Sequence, residues 1–136
     1  MAAVPNVGMQ ICDVRDVAAA HVAAMTVPAA AGQRYIIASG SCWLPDVANL
    51  LAKEFGPRGF RVPTRRAPRW LLAVVAIFDG QVRAVLSRVD KQTTYDNTKA
   101  PRELGITLHS WEDAVLATAE SLVAHGSVTA AAPEAT

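Results

Sequence analysis

Apolar residues recur along this chain in two rhythms, short β-rich runs and helical spacings of three and four, and their alternation predicts an α/β fold. Met9 to Val14 is a short run of β-forming residues, and Asp16 stands where a cap opens a helix running to Met25. Pro28 and the linker Ala29-Ala-Ala-Gly32 feed Arg34 to Ala38, which reads as a second, well-buried strand. The stretch Leu44 to Phe55 repeats Val47, Leu50, Leu51 and Phe55 at helical spacing, accepts Pro45 in its first turn, and stops at Gly56-Pro57. Phe60 to Pro63 allows a brief third strand. From Pro68 the spacing predicts a helix to Phe78, a pause at Asp79-Gly80 and a second helical piece to Leu86; Thr94 to Asp96 is a further strand candidate.

The last third has the firmest helical signals. Thr98 is placed to cap a short helix ending at Leu104-Gly105. Ser110 with Asp113 three residues on resembles a capping box, and Trp111, Val115, Thr118 or Ala119, and Leu122 then share one face up to Gly126. Ser127 to Thr136 is small, Ala-rich and aperiodic, so the chain divides into one domain, 1–126, and a frayed tail, 127–136.

Composition changes this picture in two ways. The hydrophobic fraction of 51% rests heavily on 26 alanines, which favours tightly packed helices over a membrane protein. The longest apolar run, Trp70 to Phe78, is far below the roughly 18 residues of a spanning helix, so it belongs in a core or an interface. Thirteen basic against twelve acidic residues leave a net charge of +1 and no general drive toward nucleic acid or acidic membranes, although Pro57 to Trp70 holds five arginines and no acid. Cys12 and Cys42 lie in apolar contexts without metal spacing, and no basic-then-apolar leader opens the chain; both read as buried thiols of a cytoplasmic protein.

Six segments carry a family resemblance in chain order. They are Asp13-Val-Arg-Asp-Val-Ala-Ala-Ala-His21, Pro28 to Ile36, Leu44-Pro-Asp-Val-Ala48, Pro63-Thr-Arg-Arg-Ala-Pro68, Asp96-Asn-Thr-Lys-Ala100 with Glu103-Leu-Gly105, and Ser110-Trp-Glu-Asp113. Together they resemble the carboxy-terminal half of extended short-chain dehydrogenases/reductases, of the epimerase/dehydratase and dihydroflavonol 4-reductase-like type. The resemblance implies a helix-rich, substrate-binding part of a Rossmann-type enzyme with a small, incomplete mixed sheet. It also implies NAD(P) and a small-molecule substrate for the complete enzyme.

The residues that perform that family's chemistry are not found here. No Gly-x-Gly-x-x-Gly or Gly-x-x-Gly-x-x-Gly turn can be assembled from the eight glycines, so no cofactor is expected to bind this chain alone and no catalytic residue is assigned. Tyr95-Asp-Asn-Thr-Lys99 does match Tyr-x-x-x-Lys, the spacing at which a lysine lowers a neighbouring phenol's pKa. Its interior is turn and cap chemistry, however, so the two side chains are expected to diverge. The substrate-contact candidates are Arg15, Arg65 and Arg66, because guanidinium groups at loop ends grip carboxylates, phosphates or phenolic oxygens in two-point fashion, against the plainer reading that they are solvated or ion-paired. Asp16 reads as a cap rather than a ligand. His21, His109 and His125 have no metal spacing, Ser39-Gly-Ser41 reads as a loop, and Trp43, Trp70 and Trp111 read as core or interface anchors.

Two functional readings follow. The chain is the substrate-binding part of an NAD(P)-dependent oxidoreductase, inactive alone; or it is a non-catalytic interaction or oligomerisation module derived from one. In either, a strand at Arg34 to Ala38 without its sheet invites pairing, so a homo-oligomer or a companion Rossmann half is the expected partner, with no nucleic acid and no membrane.

Overall fold

An extended run from Val4 to Ile11 finds hydrogen-bond partners in three separate parts of the chain, and the other elements are arranged around it. The computed structural model describes residues 3–130. The first strand, β1 (Gly8–Ile11), leads into α1 (Val14–Thr26); after a single 3-10 turn come β2 (Gly40–Trp43) and α2 (Leu44–Phe55). The helical hairpin α3 (Arg69–Phe78) and α4 (Gly80–Leu86) follows, then α5 (Lys99–Leu104) and α6 (Trp111–Ala124). The class is the expected one, helix-rich α/β with a small, incomplete sheet. β1 and β2 pair antiparallel with Gly8 opposite Trp43 and Ile11 opposite Gly40, and parallel pairing appears only at the isolated bridge of Val4 with Arg66.

The stitching is done by main-chain groups. Val4 N–H donates to the Arg65 carbonyl and Val4 C=O accepts from Ala67 N–H, both at 2.8 Å; Asn6 C=O accepts from Asp90 at 2.8 Å and Gly8 N–H donates to Lys91 C=O at 3.1 Å. The approach at Gly8 is close enough to require glycine. A Cβ there would lie 2.6 Å from Gln92 Cα and 2.7 Å from the Lys91 carbonyl oxygen.

Two modest hydrophobic clusters flank this run. In one, Ala20 of α1 packs with Ala30, Ala100 and Leu104, and half-buried Tyr35, Ile37 and Ile106 close over them. In the other, Ala67, Leu72 and Val89 gather Val7, Val82 and Leu86, fixing the α3–α4 hairpin by one side only. The alanines allow the close packing that composition suggested. Large apolar residues are left outside: Val14, Val22 and Met25 on α1 are 78, 64 and 86% exposed, and Trp70 and Ile77 on α3 are 69 and 65% exposed.

Several local expectations are met and several are corrected. α2 has the expected bounds, α3 and α4 break at Asp79, and Ser110 caps α6 by accepting from Asp113 N–H at 3.1 Å. Gly126 (φ 66°) closes α6, with Gly126 N–H on Val123 C=O and Ser127 N–H on Leu122 C=O. The strand expected at Arg34 to Ala38 is not formed among the described residues: Tyr35, Ile37 and Ala38 turn inward and Arg34 and Ile36 outward, but no neighbouring strand is within reach, because β1 is paired with β2 on one edge and with Lys91 on the other. Of the loop expected at Ser39 to Ser41, Gly40 (φ 137°) and Ser41 are instead the start of β2. Phe60 to Pro63 and Thr94 to Asp96 form no strand. Thr98 does not cap α5; its hydroxyl and N–H are both taken by the Asp96 carboxylate, at 2.6 and 2.9 Å. Cys42 is buried as expected, whereas Cys12 is exposed. Of the expected tail, residues 127–130 are exposed bends and coil, and 131–136 lie outside the described residues.

Replacing Gly8 by Ala is expected to lower unfolding free energy by about 1–3 kcal/mol, since the clash is with main-chain atoms that other bonds hold in place. Urea denaturation of the variant beside the parent measures it.

Candidate functional site

Two aspartates three residues apart open α1, and the structure gives them different work. Asp13 is the N-cap, accepting from Arg15 N–H at 2.8 Å, so the expected cap at Asp16 is corrected. The helix begins two residues before Asp16, which places Asp16 inside the first turn and points it at a distant part of the chain. Its carboxylate is 1% exposed and accepts from His109 N–H at 2.9 Å, His109 Nδ1 at 2.5 Å and Ser39 Oγ at 3.4 Å. Asp13 is 5% exposed and held by Arg15 in a two-point ion pair, Nε to Oδ1 at 2.9 Å and Nη2 to Oδ2 at 2.6 Å. That guanidinium holds the Asp13 carboxyl well below its ordinary 3.8, at about 2.

Asp13, Asp16 and His109 offer three ligand atoms within 4.8 Å of one another, yet the cluster is already satisfied. Every carboxylate oxygen that faces inward accepts a hydrogen bond, so a cation would have to displace Arg15 or the His109 N–H. It is no hydrolytic triad either, because Ser39 donates to the carboxylate instead of to the imidazole, leaving the hydroxyl without a base. The cluster joins α1, the segment before β2 and the segment before α6. The Cys42 thiol is pushed up by burial and by Asp46 and Glu112, and that of Cys12, although its residue is largely open to solvent, by partial desolvation and by Asp16 and Asp13.

Open space lies on both sides of β1. One groove, about 750 Å³, runs between β1, α2 and α6 and is walled by Ile11, Val47, Leu51, Val115 and Leu122, with the Arg15–Asp13 pair at its mouth. The second cleft, about 710 Å³, lies between Gly8–Gln10 and the 88–95 segment and combines apolar Val7, Leu44 and Val85 with Gln10, Arg88, Lys91, Thr93 and Tyr95.

The arginines expected to contact substrate are thereby separated. Arg15 edges the apolar groove but is committed to Asp13. Arg65 and Arg66 are exposed and sit beside Val4, linked to it through their main chain, outside the lining of either cleft. Tyr95 and Lys99 diverge as expected: Tyr95 faces the second cleft, whereas the Lys99 ammonium lies 4.9 Å over the Tyr35 ring and donates to Gln33 Oε1 at 2.8 Å. His21 and His125 each bond the carbonyl four residues back in their own helices.

No family model and no curated protein matches the sequence. Solved structures do match. The structure of gox2253 superposes on 95% of this chain and 41% of its own, with a TM-score of 0.70 and 23% identity. Gre2 from Candida albicans in complex with NADPH matches 90% of this chain and 32% of its own (TM-score 0.63, 24% identity), and yeast methylglyoxal/isovaleraldehyde reductase Gre2 complexed with NADPH matches 92% and 32% (TM-score 0.63, 23% identity). The chain has the fold of one part of each of these neighbours. It spans about a third to two fifths of the length of these neighbours.

Of the residues that line the second cleft, the sequence reading missed Gln10, Arg88 and Lys91. Nothing in their local pattern distinguishes them. They face one cleft only because the 4–11 run brings Gly8 against Lys91. The signal that existed was Gly8 itself, a glycine in a β-rich run, which marks a close backbone approach.

Replacing Asp16 by Ala strands the His109 N–H and imidazole, and a loss of about 2–3 kcal/mol is expected in urea denaturation. The contribution of Asp13 has the opposite pH sense to that of a histidine. Its folded pKa lies below the ordinary one, so the stabilisation is complete above pH 3.8 and disappears as pH falls toward 2. Asp13→Asn is expected to remove that part of the acid dependence in stability measured from pH 5 to 2.

Proposed function

We propose that this chain is the substrate-binding, carboxy-terminal portion of an NAD(P)-dependent oxidoreductase of the dihydroflavonol 4-reductase and epimerase type, inactive by itself. The observation that carries the reading is the fold match, which takes in 90% or more of this chain but about a third of each Gre2, both of them seen with NADPH. The surface of α1 supports it. Val14, Ala18, Val22 and Met25 recur at helical spacing as one exposed apolar stripe, which a second layer of structure would cover. The main-chain groups of Tyr35, Ile36 and Ile37 make no hydrogen bond among the described residues, as suits a strand that belongs to a larger sheet. In the complete enzyme the nucleotide-holding turn and the catalytic Ser, Tyr and Lys come from residues other than these, and the second cleft faces the small-molecule substrate. Arg15, Arg65 and Arg66 lie outside the second cleft and meet substrate only where the rest of the enzyme extends it toward them. The reading includes a cytoplasmic enzyme, as the sequence leads one to expect; separately, no helix among the described residues is long and apolar enough to cross a membrane.

A second reading, an oligomerisation module, draws on the same unpaired segment and on exposed Trp70 and Ile77. Exposed apolar surface of this kind marks interaction sites. The partner is a second copy or a companion Rossmann half, and the two readings are compatible.

Fluorescence titration of the 136-residue chain with NADPH or NADH is expected to give no binding, and a glycine-rich nucleotide turn with a Tyr-x-x-x-Lys pair is expected in the coding sequence immediately upstream. Tight cofactor binding by the chain alone overturns the first reading. Light scattering at micromolar concentration is expected to give a dimer or larger, and a stable monomer removes the second.

A further inference from the structure

The cleft beside Gly8 and Gln10 is lined by two cations and no acid. Among the thirteen basic side chains, Arg15, Arg58, Arg69, Lys99 and Arg102 are ion-paired, Arg83 donates to helix-end carbonyls, and Arg61 is engaged elsewhere. Arg34, Lys53, Arg65, Arg66, Arg88 and Lys91 have no side-chain partner among the described residues, and of these six Arg88 and Lys91 line this cleft. No acid lines it with them. The nearest in sequence, Asp90, is turned away to Asn6 at 2.8 Å and Arg69 at 3.8 Å. The same cleft is lined by apolar Val7, Leu44 and Val85 and by Tyr95 and Gln10, whose amide donates to the Thr93 carbonyl.

We propose that this cleft takes a carbonyl substrate with an apolar body and a carboxylate, the carboxylate being gripped by Arg88 and Lys91. The assignment rests on the reductase-fragment reading above and names the substrate class of that site. A planar guanidinium matches a carboxylate at two points and the lysine adds a second positive charge, while Val7, Leu44 and Val85 cover an aromatic or aliphatic body.

The test is an NMR amide-shift titration of the full 136-residue chain with phenylpyruvate and, separately, with phenylacetone, which has the same ring and ketone but a methyl group in place of the carboxylate. Both probes are expected to shift the Gly8 to Gln10 and Lys91 to Tyr95 amides, phenylpyruvate binding about tenfold more tightly. In the double variant Arg88→Ala, Lys91→Ala the preference is expected to fall to within about twofold with phenylacetone binding unchanged; both side chains are exposed and unpartnered, so the fold is retained. Equal binding of the two probes, or a preference that survives the double variant, overturns the carboxylate assignment and leaves the substrate cleft standing. Failure of either probe to shift these amides removes the cleft as a substrate site, and the assignment with it.

Discussion

Main-chain N–H and C=O groups that leave water must be hydrogen-bonded, and in residues 4–11 this requirement reaches into three parts of the chain at once. Val4 is satisfied by 65–67, Asn6 and Gly8 by 90 and 91, and Gly8 to Ile11 by β2. One short segment therefore fixes where the α3–α4 hairpin, the 88–95 segment and the β2–α2 unit stand relative to one another. The second cleft is a product of that constraint. Its two walls are close because Gly8 has no side chain to hold them apart.

The carboxylate of Asp16 does for α1 and α6 what the strand does elsewhere. A charge removed from water is expensive unless its partners are complete, and Asp16 has three donors from Ser39 and His109. Breaking any of them is costly, which holds the start of α1 against a segment 93 positions away in the chain. The exposed side of α1 has no such anchor and carries large apolar groups instead, so this helix is fully specified on one face and open on the other.

Legibility in the sequence followed the range of the interactions. α2, α3, α4 and α6 were readable because their starts and stops depend on neighbours within four residues: Pro45, Asp79, Ser110 with Asp113, Gly126. The division of labour between Asp13 and Asp16 was not, because both have cap chemistry and only His109, far along the chain, decides between them. The strand at Arg34 to Ala38 shows the opposite failure. Part of the expected burial is there, in Tyr35, Ile37 and Ala38, but a strand exists only with a partner, and pattern cannot supply one. Arg88 and Lys91 escaped notice for a related reason. A cation acquires meaning from the cleft it faces, and that cleft is tertiary.

The division of the apolar interior into two small clusters bears on how the molecule moves. Among its described side chains α3 buries little beyond Leu72 and Ala76, and its hairpin leans chiefly on Ala67, Val82, Leu86 and Val89. The cluster of Ala20, Ala100 and Leu104 shares none of these side chains. Excursions that detach the hairpin therefore leave the α1–α5 contact intact, and amide exchange in α3 and α4 proceeds through a shallower opening than exchange in α1, giving the molecule a soft half and a firm half joined by one strand.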